Sequence, residues 1–154
     1  DEIPNLEVLN TINIKKFAIF SQHEFIYKLN LLSDQSWNGS SICYKKYLKS
    51  PQWLRDRKFT RRGFIRKLFF KTQFLDDGGW HFSFLKNPED ILKKLNSYAH
   101  SEFAVYGDVD FIRDSIKKRK FFIDPNKKLK VVPVDNLYPK YIRLNKEKYS
   151  EWII

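Results

Sequence analysis

The chain has 154 residues, of which 42% are hydrophobic and 17% aromatic, so it can bury a core and does not have the composition of a disordered protein. Its single cysteine, Cys43, excludes an internal disulfide and a zinc site built on a cysteine pair. The formal net charge of +11 favours anionic partners such as nucleic acid, anionic lipid or a diphosphate, but a solvated basic surface explains it as well.

No apolar run approaches the roughly 18 residues that a membrane span needs, and no signal peptide is visible. Because the chain opens on Asp1 and contains no Met, we interpret its start as a cut or processed end. An anchor or a targeting segment removed from that end would leave no trace.

The first half of the chain predicts mainly strands. Apolar clusters rich in β-forming residues indicate two strands, at 17–20 and 25–27. Ser40 or Ser41 is a candidate cap for a short helix over 42–48, and Ser50-Pro51 predicts a turn or a new helix start. Alternating basic and apolar residues over 59–70 predict a strand with one buried face.

The second half predicts a turn, a strand and helices. Asp77-Gly78-Gly79 is typical of a turn, and period-two alternation over 80–85 predicts a strand in which at least two of Trp80, Phe82 and Phe84 are core residues. Asn87, followed by Pro88, predicts a helix start.

Asp108 predicts the start of a second helix, which ends in the basic residues 117–120. A short strand at 130–132 and a final helix from about 138 to 152 follow. Strands and helices mix without strict alternation, so the fold class is α/β or α+β.

Three segments carry residues suited to chemistry. In Gly78-Gly79-Trp80-His81 the two glycines would let the backbone approach a ligand, and an aromatic ring and an imidazole follow them in the sequence. The alternative is a hairpin turn with a core Trp and a hydrogen-bonded His. His100 and Glu102 share a face if the segment is extended, and together they could ligate a metal or move a proton; the alternative is decoration of a helix end. His23 and Glu24 lack such a context and are interpreted as structural.

The third segment is basic and spans 55–67, with phenylalanines between its charges. It could hold phosphates or stack bases, or be a solvated strand face. No signature of a nucleic-acid-binding fold accompanies it.

The order of these motifs resembles glycosyltransferase family 17, the bisecting N-acetylglucosaminyltransferases. Asp1-Glu2-Ile3-Pro4 resembles the end of that family's D-x-D-E-I-P segment, and Gly79-Trp80-His81-Phe82-Ser83 resembles its G-W-H-x-S segment. Other similar segments follow the family's order from one end of the chain to the other: Trp37-Asn38-Gly39, 54–57, the P-E-x-I-x-x-K-L helix at 88–95, the A-H-x-E segment at 99–102, 111–116, and the P-K-Y-x-x-x-N segment that ends at Asn145.

The resemblance implies that residues 1–154 are the C-terminal part of a single catalytic domain of GT-A type, an α/β fold with a mixed sheet and flanking helices. It implies an inverting enzyme that moves a sugar, N-acetylglucosamine in particular, from a UDP-sugar to a hydroxyl of a glycan or glycoprotein, β1,4 to mannose in the family. The expected cofactor is Mn²⁺ or Mg²⁺. No nucleic-acid partner is expected. A membrane anchor is expected only if an anchoring segment lies upstream. The compartment depends on the source: the Golgi lumen for an anchored eukaryotic protein, the cytoplasm for a bacterial or viral one.

The resemblance also implies roles for individual residues. Asp1 is matched to the second acid of D-x-D and is the expected metal ligand, around one cleft with Gly78, Gly79 and His81. Because the first acid and the uridine-binding part lie upstream, the chain alone is expected to be inactive. From the residues and their positions we predict the remaining roles: a second metal ligand or diphosphate contact (His81), the base (Glu102, with Asp77 as runner-up), its partner or a metal ligand (His100), sugar stacking or packing beneath the site (Trp80), and phosphate pairing (Arg55 and Arg61).

Two departures from the animal enzymes leave the acceptor open: the A-H-x-E segment, which they lack, and the absence here of their long polar tail. Two alternatives remain beside the transferase. One is a nucleic-acid-binding module built on 55–67, and the other is a carbohydrate-binding remnant without catalysis.

Overall fold

The structure is a computed structural model that describes residues 1–56, 73–97 and 108–154. Its strands are β1 (Glu2–Pro4), β2 (Phe17–Ile26), β3 (Leu31–Cys43), β4 (Gln73–Leu75), β5 (Gly79–Ser83) and β6 (Leu129–Val131). Its α-helices are α1 (Pro51–Asp56), α2 (Pro88–Ser97), α3 (Val109–Lys117) and α4 (Lys140–Leu144), and 3-10 helices cover Leu6–Asn10, Lys45–Tyr47 and Lys146–Trp152. None of the helices in these ranges is long and apolar enough to cross a membrane.

The described strands form one mixed sheet. Its order is β1-β5-β2-β3-β6, with β4 beside β2. β4 runs parallel to β2, whereas β1 with β5 and β3 with β6 are antiparallel pairs. The prediction of an α/β fold with a mixed sheet and helices is therefore confirmed, and the GT-A arrangement stays a prediction.

The chain divides into two compact units. Unit 1 comprises Asp1–His23 and Ser36–His81, and unit 2 comprises Glu24–Gln35 and Phe82–Ile154. In unit 1, Ala18, Phe20 and Leu75 form a small buried cluster covered by partly buried aliphatic residues, among them Val8, Leu9, Ile12, Ile14 and Ile42. The parallel pairing of β4 with β2 explains this cluster, since it places Leu75 opposite Phe20.

Unit 2 has the larger core. α2 and α3 pack against each other and bury Ile91 and Leu95 from the first helix and Ile112 from the second. Aromatic rings fill much of the remaining core, as in the stack of Phe25 on Phe82 with centroids 5.2 Å apart. The other buried residues of the main cluster are Ile26, Tyr27, Leu31, Phe84, Phe121, Phe122 and Leu129.

Both predicted helix starts are confirmed. The Asn87 side chain accepts a hydrogen bond from the Asp90 amide at 2.8 Å, and that of Asp108 accepts one from the Phe111 amide at 2.7 Å. Each cap satisfies a backbone donor that the first helical turn leaves without an intrahelical partner. The predicted helices after Asn87 and Asp108 correspond to α2 and α3.

Three element predictions differ from the structure. The two strands at 17–20 and 25–27 are one ten-residue strand, β2, because the polar residues between them are part of the sheet. The helix over 42–48 is wrong: β3 continues to Cys43, only Lys45–Tyr47 forms a 3-10 turn, and α1 starts at Pro51 with the Ser50 hydroxyl accepting from the Trp53 amide at 3.0 Å. The final helix is interrupted at Asn145, where the backbone leaves the helical conformation (φ −122°, ψ 24°). The strand predicted over 59–70 lies outside the described residues.

Candidate functional site

Antiparallel pairing of β1 with β5 brings together the two segments that carry the family resemblance. Their register places Glu2 opposite His81, Ile3 opposite Trp80 and Pro4 opposite Gly79. The acidic start of the chain and the Gly-Trp-His segment therefore lie side by side in unit 1, although more than 70 residues separate them in the sequence.

Gly78 and Gly79 are required by the close approach of the chain's own backbone. A Cβ on Gly79 would lie 2.1 Å from the Ile3 carbonyl oxygen, and Gly79 has a φ of +128°, which other residues rarely adopt. A Cβ on Gly78 would lie 2.6 Å from the Leu75 carbonyl oxygen and 2.8 Å from the Phe20 Cα. These contacts explain both glycines without a ligand, so their role in donor binding stays a prediction.

The register selects the acid that shares a face with His81. Directly opposed residues of an antiparallel pair point to the same side of a sheet, and neighbours along a strand point to opposite sides. Glu2 therefore shares the face of His81, and Trp80 lies on the other face. Asp1 precedes β1 and is exposed. Among the predicted site residues, Trp80 and His81 thus cannot contact a ligand on the same face.

Trp37, on β3, joins Glu2 to His81. Its indole N–H donates a hydrogen bond of 2.9 Å to Glu2 Oε1, and its ring stacks on the His81 imidazole with centroids 4.5 Å apart and an interplanar angle of 21°. The Ser40 hydroxyl donates to the other Glu2 oxygen at 3.4 Å. We call Glu2, Trp37, Ser40 and His81 the Trp37 platform. Trp37 is 38% exposed and His81 is only 7% exposed, so the indole and not the imidazole is available to a ligand.

A buried amide lies next to this platform. Gln22 is fully buried, and within the described residues neither polar atom of its side chain has a hydrogen-bond partner. Its side chain lies over Gly39, where a Cβ would stand 1.7 Å from Gln22 Oε1. Gly39 directly precedes Ser40, a member of the platform, on the same strand. Sequence reasoning matched Trp37 and Gly39 to a family segment but gave neither a role.

The turn before β5 holds a second pair of polar side chains. Asp77 has a φ of +50°, and its carboxylate lies 3.1 Å from the His23 Nε2. The Asp77 side chain is 82% exposed and that of His23 28%. Asn5 fixes the turn because its side chain donates to the Asp77 carbonyl at 3.2 Å and its amide to the Gly78 carbonyl at 2.9 Å. The result is an exposed carboxylate next to an imidazole.

The pairing of His23 with Asp77 was not predicted, because 54 residues separate the two and no local pattern connects them. Of the other predicted site residues, Arg55 is exposed in the last turn of α1. Arg61, His100 and Glu102 lie outside the described residues. Trp80 is partly buried, whereas Phe82 and Phe84 are buried, which confirms that two of these three aromatic residues are in the core.

The described residues do not by themselves form a group that could hold a metal ion. Across 1–56, 73–97 and 108–154, no group of three or more His, Cys, Asp and Glu side chains is placed to hold a metal ion. Near His81 the carboxylate in register is that of Glu2, and both of its oxygens already accept hydrogen bonds. The assignment of Asp1, His81 and His100 to a metal therefore stays a prediction.

Comparisons of the chain with protein-family models, with curated proteins and with solved structures gave no match.

Proposed function

We propose that the chain is the C-terminal part of an inverting glycosyltransferase that moves a sugar from a UDP-sugar, N-acetylglucosamine in the first instance, to a glycan hydroxyl. The observation that carries the proposal is the β1–β5 register. The resemblance assigns the acidic segment and the Gly-Trp-His segment to one donor site, and such a site requires them to be neighbours. The two segments are more than 70 residues apart in the sequence, so their positions along the chain do not by themselves make them neighbours.

The Trp37 platform is the proposed sugar contact. A half-exposed indole can stack on the apolar face of a pyranose ring while its N–H stays hydrogen-bonded. Glu2 accepts hydrogen bonds from Trp37 and Ser40, and a carboxylate is the type of acceptor to which sugar hydroxyls donate. The stack on His81 fixes the plane of the indole in advance, which lowers the entropic cost of binding.

Asp77 is the described residue best placed to act as the base. An inverting transfer needs a group that removes the proton of the acceptor hydroxyl. The Asp77 carboxylate is exposed to an incoming acceptor, and His23 orients it from the adjacent strand. Glu102, the first choice from the sequence, stays a prediction beside it. The described residues supply no complete ligand set for Mn²⁺ or Mg²⁺.

Release of UDP from a panel of UDP-sugars by the natural full-length protein, with and without Mn²⁺ and with glycan acceptors, tests the proposal. We expect turnover with UDP-N-acetylglucosamine. Trp37→Ala should raise KM for the sugar substrates about tenfold or more, whereas Trp37→Phe keeps a stacking ring and should retain most of the affinity. If Asp77 is the base, Asp77→Asn should lower kcat by about 10²–10⁴ with little change in donor binding.

Absence of turnover with every donor, with and without Mn²⁺, would contradict the proposed transferase activity. Glycan binding without turnover, abolished by Trp37→Ala, would establish the carbohydrate-binding remnant in its place. The nucleic-acid alternative rests on 55–67, which lies almost entirely outside the described residues, so no structural observation favours it.

A further inference from the structure

Unit 2 contains a basic cleft with a cavity volume of ≈ 390 Å³. The start of α2, the end of α3 and the 3-10 helix Lys146–Trp152 contribute to its walls. Its lining includes five cationic side chains, those of Lys28, Lys86, Arg113, Lys117 and Arg119, and one acidic side chain, that of Glu151. We call it the basic cleft. Its volume lies within the range of about 300–1,000 Å³ that is usual for small-molecule sites.

Two of the five cations already have partners. Arg113 is bonded to Glu89 at 2.8 Å and also to Asp110. Lys28 lies over the Trp152 ring at 5.5 Å from its centroid and donates to the Glu151 carbonyl at 2.9 Å. The two carboxylates offset the charge of Arg113. Lys28 keeps its charge and holds the Trp152 ring in place.

Lys86, Lys117 and Arg119 are different. In the part of the chain that the structure describes, none of the three makes an ion pair with an acidic residue. Three cations that converge on one cavity repel one another, and an anion within the cavity would relieve that repulsion. Lys28 has no ion pair in that part of the chain either, since its partners are neutral, so four such cationic side chains line the cleft with one acidic side chain, and this asymmetry is the main observation behind the inference.

Arg119 occupies a backbone position that normally selects glycine. It ends α3 with a φ of +54°, and its amide and that of Lys120 donate to the Ile116 and Ser115 carbonyls, each at 3.0 Å. This is the pattern in which a left-handed residue closes a helix, and glycine is the usual residue there. An arginine at this position adds a guanidinium to the basic cleft at the expense of backbone strain, an arrangement often found where function requires it.

We infer that the basic cleft binds a small molecule that carries a diphosphate group. The excess of positive charge suits an anion with more than one negative charge, and guanidinium and ammonium groups are the side-chain groups that bind phosphate oxygens best. The partly exposed Trp152 provides an aromatic surface for an organic part attached to the diphosphate. The basic cleft shares no lining residue with the Trp37 platform, so the inference holds whether or not the chain belongs to a glycosyltransferase.

The test is calorimetric titration of this chain with inorganic pyrophosphate at fixed ionic strength, with sulfate and monophosphate for comparison. We expect saturable binding of pyrophosphate with a Kd below about 1 mM, tighter than that of either smaller anion. Lys117→Gln and Arg119→Gly should each weaken binding roughly tenfold, the size expected for loss of one charge-assisted contact.

Lys118→Gln is the matched control. Lys118 is the immediate neighbour of both residues in the sequence, does not line the cleft and is paired with Asp114 at 2.7 Å, and the variant loses the same unit charge. It should bind pyrophosphate like the unmodified chain. Arg119→Gly should also keep or raise Tm, because glycine removes the strain at φ +54°, so that lost binding cannot be ascribed to unfolding.

If Lys118→Gln weakened pyrophosphate binding as much as Lys117→Gln, the affinity would depend only on the net surface charge, and the inference would fail. It would also fail if no pyrophosphate binding were detected. Trp37→Ala should leave pyrophosphate binding unchanged, so this result and the outcome of the transfer assay are independent.

Discussion

Tyr27 is fully buried, and its hydroxyl is fixed in the core of unit 2. The hydroxyl accepts a hydrogen bond of 3.1 Å from the Phe122 amide and donates one of 3.3 Å to the Lys120 carbonyl. These two bonds hold the segment that directly follows Arg119. Tyr138 is its natural counterpart: it is equally buried, but within the described residues its hydroxyl has no hydrogen-bond partner.

The two Tyr→Phe variants should therefore differ at neutral pH. Tyr27→Phe removes both hydrogen bonds from a buried environment and should lower the free energy of unfolding by about 1–3 kcal/mol. Tyr138→Phe removes a hydroxyl that was desolvated without compensation, so it should leave stability unchanged or raise it by up to about 1 kcal/mol. Ring packing is the same in both variants, since phenylalanine keeps the shape of the ring.

Their behaviour at alkaline pH should instead be alike. Burial raises the pKa of Tyr27 well above its ordinary value, and the hydrogen bond from Phe122 offsets only part of this rise. Burial, and then the negative charge of Asp135, raise the pKa of Tyr138 in the same direction. Above pH ~10 the unfolded chain releases these protons and the folded chain keeps them, so stability falls as pH rises, by about 1.4 kcal/mol per pH unit for each tyrosine.

Urea denaturation at pH 7, 9, 10 and 11 measures both effects. In each variant, the free energy of unfolding should fall less steeply at alkaline pH, by the contribution of one tyrosine. Only Tyr27→Phe should be less stable at pH 7. Equal stability of the two variants at pH 7 would refute the energetic role given to the Tyr27 hydrogen bonds. An alkaline slope that neither substitution changes would refute the linkage argument.

Two further substitutions test the packing around the candidate site and in unit 2. Gly79→Ala should destabilise the chain by more than about 3 kcal/mol and release β1 from β5, because its Cβ would meet the Ile3 carbonyl at 2.1 Å; hydrogen exchange of the β1 amides measures this release. Lys127→Met should cost about 3–5 kcal/mol in urea denaturation, since Lys127 lies 2.7 Å from the nearly buried Glu24 carboxylate. Lys93→Met, at a lysine whose side chain is 79% exposed, should cost less than about 1 kcal/mol, and equal costs would contradict the assignment of a buried pair.

The helix starts could be predicted from the sequence because their cause is local. A cap needs only a short polar side chain and the amide three residues later, as at Asn87 and Asp108. The same holds for the turn at Asp77-Gly78-Gly79, where the positive φ values of Asp77 and Gly79 fall within three consecutive residues.

The strand boundaries depended on partners that a local pattern does not contain. Ser21, Gln22 and Glu24 are polar yet buried, and they are part of β2, so the interval that seemed to separate two strands lies inside one. The serine-rich stretch before Cys43 is part of β3 for the same reason, although Ser40 and Ser41 have the residue type of a helix cap. Pairing with a neighbouring strand overrides local preference in both cases.

The candidate site depends on register, and a shift of one residue would change its chemistry. With Glu2 opposite His81, the Glu2 carboxylate meets the indole N–H of Trp37, and Trp80 faces the other side of the sheet. If β1 slipped by one residue, Asp1 would take the place of Glu2 and Ile3 would turn to the face of His81. The resemblance matched Asp1 to the second acid of D-x-D and so predicted it as the metal ligand, but a motif does not specify which of the two acids before Ile3 faces the imidazole. The contact of Gly79 with Ile3 opposes such a slip, since it fits only where a residue without Cβ stands opposite Pro4. Gly79 therefore acts on the site through the position of β1, and under the proposed function the binding of UDP-N-acetylglucosamine should be more sensitive to Glu2→Gln than to Asp1→Asn.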